Sequence, residues 1–287
     1  MPIKSVLVIG AGTMGRGIAQ WFTQQGLQVE LLDNNPEVTK TALEAVFSSW
    51  DKLEKKGKFS KDDVINFKKS LTSATFDSFN KECSLVVEAI IENTKIKTEV
   101  FKKLDELCSK ETVLASNTSS IPISSLAKEL SKDRRDKFIG LHFFNPAPIM
   151  KLVEIIKGHW SSDSIIENYT KWFEEKGKKV AICNDSPGFI VNRVARNFYG
   201  EAMRVVSHYD QDKIREIDSV LKQCGGFRMG PFELMDLIGI DINYSVTQSV
   251  WESYYQDPRF APHLLQKQMV DSGRIGKKSS GGFYDYE

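Results

Sequence analysis

Two residues of this chain have the types and the placement to move a proton. His142 is one of four histidines, with His159, His208 and His263, and it alone stands at the end of an expected strand, Phe138–His142. Glu154 follows in the next expected strand, Lys151–Ile156. Neutral imidazole suits removal of a hydroxyl proton near neutral pH. A carboxylate on its second nitrogen would fix the tautomer and stabilise the imidazolium. Such a pair fits oxidation at an alcohol carbon, where a base takes the hydroxyl proton while hydride leaves the carbon. A buried structural histidine is the competing reading, and the pattern alone leaves both open.

The hydride needs an acceptor. Gly10-Ala11-Gly12-Thr13-Met14-Gly15 fits G-x-G-x-x-G, and it lies between an apolar strand and a helix, the context in which that motif binds a dinucleotide. Gly10 would make the tight turn, Gly12 would let a diphosphate approach, and Gly15 would let helix pack on strand. The helix start offers oriented N–H groups to the phosphates. Asp33 ends the second expected strand and can accept hydrogen bonds from ribose hydroxyls. It would also repel a 2′-phosphate, and Asn34 and Asn35 bring no cation to offset that. These residues point to NAD rather than NADP.

The elements that must carry these groups follow from hydrophobic patterning. Ser5–Ile9 and Gln28–Leu32 read as strands, with a helix between them that contains Gly17–Phe22 and ends at Gly26. Residues 36–56 form a helix, with Val38, Ala42, Val46, Trp50 and Leu53 at three- and four-residue spacing. A second helix follows Gly57, where Ser60 and Asp63 resemble a capping box. Further strands are expected at Ser84–Ala89, Thr112–Ser116 and Lys178–Ile182, with helices at Lys95–Leu107 and Ser124–Leu130 among the connections. The turn Ser116-Asn117-Thr118-Ser119-Ser120 ends one strand. It joins the glycine turn and His142 at the carboxyl ends of the strands, where open α/β sheets bind ligands. Asp185-Ser186-Pro187 reads as the start of a helix, and the chain beyond it is mostly helical in pattern. The expected fold is α/β: a doubly wound Rossmann-type sheet with an inserted helix pair over residues 1–184, then an all-α C-terminal domain over 185–287.

Composition agrees with two ordinary globular domains. Hydrophobic residues make up 41% of 287, and 39 Lys and Arg balance 38 Asp and Glu. That balance gives no reason to expect binding to nucleic acid or to a membrane surface. Cys83, Cys108, Cys183 and Cys224 are widely spaced, so reduced thiols are expected rather than a disulfide framework or a zinc site. Met1-Pro2-Ile3-Lys4 is expected to run directly into the first strand without a signal segment, and no run reaches the ~18 apolar residues of a membrane span. A bacterial cytoplasm is expected, or a mitochondrial matrix after loss of a transit peptide.

Longer motifs carry a resemblance. Gly140-Leu141-His142-Phe143-Phe144-Asn145-Pro146 and Met150-Lys151-Leu152-Val153-Glu154 resemble the short-chain L-3-hydroxyacyl-CoA dehydrogenase family, which includes 3-hydroxybutyryl-CoA dehydrogenases. So do Ser116–Ser120, Pro187-Gly188-Phe189-Ile190-Val191-Asn192-Arg193, Met229-Gly230-Pro231-Phe232-Glu233-Leu234 and Gly282-Phe283-Tyr284. The resemblance covers essentially the whole chain. It implies an NAD enzyme of fatty-acid β-oxidation type acting on an acyl-CoA thioester. His142 would be the base in oxidation and the acid in reduction, paired with Glu154. Ser119 would bond the substrate oxygen, and Asn192 would reach the same region. Glu92 and Lys97 would contact the cofactor, and Ser49 and Lys56 the CoA moiety. A homodimer through the C-terminal domain is also implied.

Other readings stay open for single groups. Ser119 can cap a helix, Asn192 can bond backbone within a helix, and Lys55, Lys56 and Lys58 can form a solvated face. For the whole chain, the alternatives are an L-gulonate-type polyol acid dehydrogenase, a non-catalytic NAD-binding structural protein, and a CoA-binding module. Intact His142, Glu154, Ser119 and Asn192 argue against the second, and the glycine motif with Asp33 against the third.

Overall fold

The apolar runs of the first unit become strands, and those at the centre of the sheet are buried on both faces, as parallel sheets require. They are β1 (Ser5–Ile9), β2 (Gln28–Leu32), β3 (Leu71–Ser73), β4 (Leu85–Glu88), β5 (Val113–Ser116), β6 (Phe138–Phe143), β7 (Leu152–Lys157) and β8 (Lys179–Asn184). Their order in one sheet is β3-β2-β1-β4-β5-β6-β7-β8. Helices α1 (Thr13–Gln24), α2 (Pro36–Lys55), α3 (Lys61–Ser70), α4 (Thr94–Leu107), α5 (Ile123–Ala127), α6 (Lys132–Arg135) and α7 (Asp163–Glu175) lie between them. The computed structural model describes residues 3–287, so Met1 and Pro2 of the expected N-terminal run lie outside the described residues. The chain divides into two units, Met1–Ser186 and Pro187–Glu287.

Every adjacent pair in the sheet is parallel except β6 with β7. The link between those two, residues 144–151, holds no helix. A parallel return needs a crossover of a dozen or more residues, so a link this short turns the chain back antiparallel. The strand order reverses between β1 and β4, which places a crevice at their carboxyl ends. The expected α/β sheet is found. The three-residue edge strand β3 was not anticipated.

The inserted pair α2 and α3 is anchored by one side chain. Trp50 is fully buried between Phe47 and Phe67, at ring-centroid distances of 5.8 and 5.4 Å. Truncating such a residue to alanine typically costs about 3–5 kcal/mol. Ser60 and Asp63 form the capping box, with Ser60 Oγ accepting from the Asp63 N–H at 3.1 Å and Asp63 Oδ2 accepting from the Ser60 N–H at 2.9 Å.

The second unit is helical: α8 (Val191–Val206), α9 (Gln211–Gln223), α10 (Pro231–Ile238), α11 (Ile240–Ser253) and α12 (Leu264–Asp271), with two single 3-10 turns. Tyr199, Met203, Ile214, Phe232, Met235, Leu265 and Phe283 form its core. Two buried carboxylates fasten it. Asp236 accepts from the Phe283 and Tyr284 N–H groups and the Tyr286 hydroxyl. Asp218 accepts from the Phe232 and Glu233 N–H groups and the Tyr284 hydroxyl.

One expectation is corrected here. Asp185-Ser186-Pro187 does not start a helix. The Asp185 carboxylate instead accepts from the Ile123 and Ser124 N–H groups, both at 2.7 Å, and so caps α5. Gly188 and Phe189 then take φ values of +74° and +49°, which no helix tolerates, and α8 begins only at Val191.

Candidate active site

The glycine turn has three positions with three different demands. A Cβ on Gly10 would lie 2.5 Å from the Ala89 carbonyl oxygen, and one on Gly15 would lie 1.7 Å from that of Gly10. Both must be glycine for β1, β4 and α1 to pack. A Cβ on Gly12 would meet nothing within 4 Å. Packing therefore does not require glycine there, and the space is open above the start of α1. No side chain caps that helix, so its first N–H groups remain for a ligand. Asp33 sits at the end of β2. Its Oδ2 accepts from the Ala11 N–H at 2.8 Å and its Oδ1 from the Asn35 N–H at 3.2 Å. Open space, uncapped N–H groups and a fixed carboxylate together fit a dinucleotide.

Beside it, the ends of β4 and β5 are tied by a charged network. Glu88 closes β4 with its side chain fully buried. It accepts from Lys97 Nζ at 2.5 Å, the Ile90 N–H at 2.8 Å and Ser116 Oγ at 2.6 Å. Lys97 is 1% exposed and reaches Glu92 as well, at 3.2 Å. Glu92 in turn accepts from the Thr118 and Ser120 hydroxyls at 2.6 and 3.0 Å and from the Ser119 and Ser120 N–H groups at 3.0 and 3.2 Å. Ser119 Oγ is 3.3 Å from the same oxygen. Burial works to raise the Glu92 pKa, but Lys97, Thr118 and Ser119 outweigh it and hold the carboxyl below its usual range. Glu92, Lys97 and Ser119 are thus brought together, with Lys97 as an internal ion-pair partner.

His142 and Glu154 are directly opposite in the antiparallel ladder. Nδ1 of the imidazole and Oε2 of the carboxylate are 2.7 Å apart, with Glu154 fully buried and His142 nearly so. A carboxylate in this setting only accepts, so Nδ1 carries the proton and Nε2 is the nitrogen that can take one. The Phe144 ring lies 4.6 Å from the imidazole. Asn117 Oδ1 accepts from the Phe143 N–H at 2.8 Å and stitches the end of β5 to β6 beside the histidine.

The remaining expected residues are on helices or at a helix end. Ser49 and Lys56 are two turns apart, Ser49 within α2 and Lys56 closing it, which puts both on one face. Lys56 is exposed and Ser49 partly so. Asn192 is in the first turn of α8 in the second unit, and its carbonyl accepts from Arg196 Nε at 3.1 Å. Two supporting roles escaped the sequence reading, those of Glu88 and Asn117. Glu88 had a signal, an acidic residue ending an otherwise apolar strand. The four cysteines are free, with Cys83, Cys108 and Cys183 buried and Cys224 exposed. Among the described residues no group of His, Cys, Asp and Glu is placed to hold a metal, and no helix is long and apolar enough to cross a membrane.

Comparison with known proteins covers both units. Residues 5–186 match the family described as 3-hydroxyacyl-CoA dehydrogenase, NAD binding domain, and residues 188–286 match 3-hydroxyacyl-CoA dehydrogenase, C-terminal domain. The chain is 40% identical to the 3-hydroxyadipyl-CoA dehydrogenase of Escherichia coli, over 99% of this chain and 59% of that protein. It therefore spans only part of that longer relative. It is 39% identical to the mitochondrial hydroxyacyl-coenzyme A dehydrogenase of Sus scrofa, over 99% of this chain and 92% of that one. Among solved structures, the (S)-3-hydroxybutyryl-CoA dehydrogenase of Ralstonia eutropha superposes with a TM-score of 0.91 at 35% identity, over the whole of both chains.

Proposed function

The chain belongs to the 3-hydroxyacyl-CoA dehydrogenase family, and from that membership we propose the reaction and the residues that perform it. It is an NAD-dependent dehydrogenase that interconverts an L-3-hydroxyacyl-CoA and the matching 3-ketoacyl-CoA. The preferred acyl group is short, of the 3-hydroxybutyryl and acetoacetyl kind, in keeping with the name of the Ralstonia relative.

The observation that carries the mechanism is the 2.7 Å contact between His142 Nδ1 and Glu154 Oε2. Glu154 holds the ring with Nε2 able to accept the substrate's C3 hydroxyl proton. As that proton arrives the imidazole becomes cationic, and the buried carboxylate opposite stabilises it. In reduction His142 returns the proton to the ketone oxygen. Ser119 bonds the substrate oxygen and fixes C3, and Asn192 is a substrate-binding residue of the second unit. The Gly10–Gly15 turn, Asp33, Glu92 and Lys97 hold NAD, with Lys97 acting through Glu92. Bound NAD supplies the hydride acceptor. Ser49 and Lys56 meet the CoA moiety. The compartment is a bacterial cytoplasm or a mitochondrial matrix.

Assembly as a homodimer through the second unit belongs to the same proposal. A cavity of about 560 Å³ opens between α8 and α9, lined by Phe198, Val205, Val220 and Leu221 among others. Val205 and Val220 are more than half exposed, and apolar surface of this kind favours a partner. A monomeric mass by light scattering at micromolar concentration would remove this part. The reaction itself is tested by NADH oxidation with acetoacetyl-CoA, compared with longer 3-ketoacyl-CoAs and with NADPH. Turnover greatest with acetoacetyl-CoA and NADH is expected. No turnover with any thioester would sink the proposal.

A further inference from the structure

Lys178 is a buried cation with no carboxylate. Its side chain runs under the β6–β7 link, where Nζ donates to the Ala147 carbonyl at 2.7 Å and the Met150 carbonyl at 2.6 Å. The ammonium lies 4.6 Å from the Trp21 ring centroid on α1 and 5.6 Å from that of Phe143 on β6. It forms no ion pair among the described residues. Burying an unpaired charge is costly, and an apolar residue of similar length would fill the space without that cost. A cation kept at such a place has work that an apolar side chain cannot do.

The link it holds is exposed over most of its length. Ala147 is buried, but Ile149 is 74% exposed and Met150 is also exposed. The remaining ties are a turn at Pro146, whose carbonyl accepts from the Ile149 and Met150 N–H groups, and the bond from the Lys179 N–H to the Lys151 carbonyl. The link begins at Phe144, whose ring touches the imidazole. Its inner anchor, Nζ, also touches Phe143, the residue after His142.

We infer that Lys178 is a positioning residue whose ammonium fixes the 144–150 link and, through Phe143 and Phe144, the approach of His142 to the substrate hydroxyl. This rests on the acid–base role proposed above for His142. Burial alone pushes the Lys178 pKa down to about 8. The groups that face it from α1 and β6 are the uncharged Trp21 and Phe143. Arg16 is the one charge on α1. Lys151 on the link, Glu174, Glu175 and Lys176 on and after α7, and Lys179 on β8 are all exposed. Above about pH 8 the clamp therefore loses its charge and holds the two carbonyls less firmly.

The fold itself does not weaken through this group. Its folded pKa lies below the unfolded value of about 10.4, so the unfolded chain binds more protons between the two. The contribution of Lys178 to stability rises across that window. A fall in activity there without a fall in Tm separates positioning from unfolding.

The test uses the full chain, L-3-hydroxybutyryl-CoA and NAD, with kcat, KM and Tm measured from about pH 6 to about pH 10. Wild-type kcat is expected to fall above about pH 8 while Tm does not. Lys178→Arg keeps its charge and is expected to lose that fall. Lys178→Met is expected to lose about 10- to 100-fold in kcat at neutral pH, the scale of a small misplacement of a catalytic group, with a smaller change in KM. A level wild-type kcat through pH 8 to about 10 would overturn the inference without any variant. So would a Lys178→Met enzyme with wild-type kcat, or a folded Lys178→Arg enzyme that keeps the alkaline fall. A wild type inactive on every thioester would instead remove the proposed function beneath it.

Discussion

Glu154→Gln isolates the charge of the proposed catalytic pair. The glutamine side chain has the shape of glutamate, and its amide oxygen can still accept from His142 Nδ1, so the ring keeps its orientation. What disappears is the negative charge 2.7 Å from Nδ1 of the ring that becomes cationic. At that distance and an effective dielectric of about 20, Coulomb's law gives about 6 kcal/mol. The surviving hydrogen bond and local relaxation return part of this. Breaking a buried pair by removing one partner typically costs about 3–5 kcal/mol. The expected loss in kcat is therefore between about 10² and about 10⁴-fold. The assay is NADH absorbance in both directions, with NAD affinity measured separately by titration and expected to be unchanged. The equilibrium constant of the reaction is fixed, so kcat/KM must drop by the same factor for oxidation and for reduction. His142→Gln, which removes the base itself, should be at least as slow. A Glu154→Gln enzyme within about threefold of wild-type kcat would refute the argument, because it would mean that no imidazolium forms beside Glu154 in the transition state.

The glycine turn offers a separation of packing from binding. Gly12→Ala is expected to keep the wild-type Tm, since its Cβ meets nothing within 4 Å, yet to weaken NAD binding in a titration by obstructing the diphosphate's approach. Gly10→Ala, at φ +99° with its Cβ 2.5 Å from the Ala89 carbonyl oxygen, should lose both. Asp33→Ala should weaken NAD more than NADP and narrow the preference between them, because one hydroxyl acceptor and one repulsive charge go together; unchanged NAD affinity would exclude that role. Asp105 bears on acid stability. Burial works to raise its pKa, but the Ser131 N–H and Arg134 outweigh it and hold the carboxyl below its usual range. Its contribution is thus present above about pH 4 and lost as pH falls through the folded value. Asp105→Asn leaves the fully buried Arg134 without its carboxylate, at about 3–5 kcal/mol, and should lower Tm by on the order of 10 °C in a melt at neutral pH.

The parts of this molecule that could be read from sequence are those whose signal is local. The glycine turn, Asp33 and the capping box at Ser60 each declare themselves within a few residues. His142 and Glu154 were legible as residues at strand positions. Their register was not, because strands buried on both faces look alike whichever way they run. The short link 144–151 held that information. Asp185 misled because a side chain that caps a helix need not precede that helix in the chain. Lys178 opens an expected strand after Gly177, and nothing local distinguishes the buried lysine from its exposed neighbour Lys179. Edge strand β3 is too short for alternation to register. In the second unit the helical character was plain, but where each helix stops depends on contacts such as those of Asp218 and Asp236, made far along the chain.

The antiparallel return of β6 and β7 divides the enzyme's heritable properties between two kinds of information. His142 faces Glu154 because backbone ladder partners face each other, whatever lies in the link between them. A one-residue slip in either strand would turn every side chain of that strand to the other face and abolish the pair. The link can vary in length and composition while the ladder keeps its register. The pairing of the two side chains is thus stored in the ladder, and the placement of the residues after His142 in the link that Lys178 holds. For an engineer, a change in the link's length would leave His142 opposite Glu154 but move the two carbonyls that Lys178 holds, so pairing and placement can be perturbed one at a time.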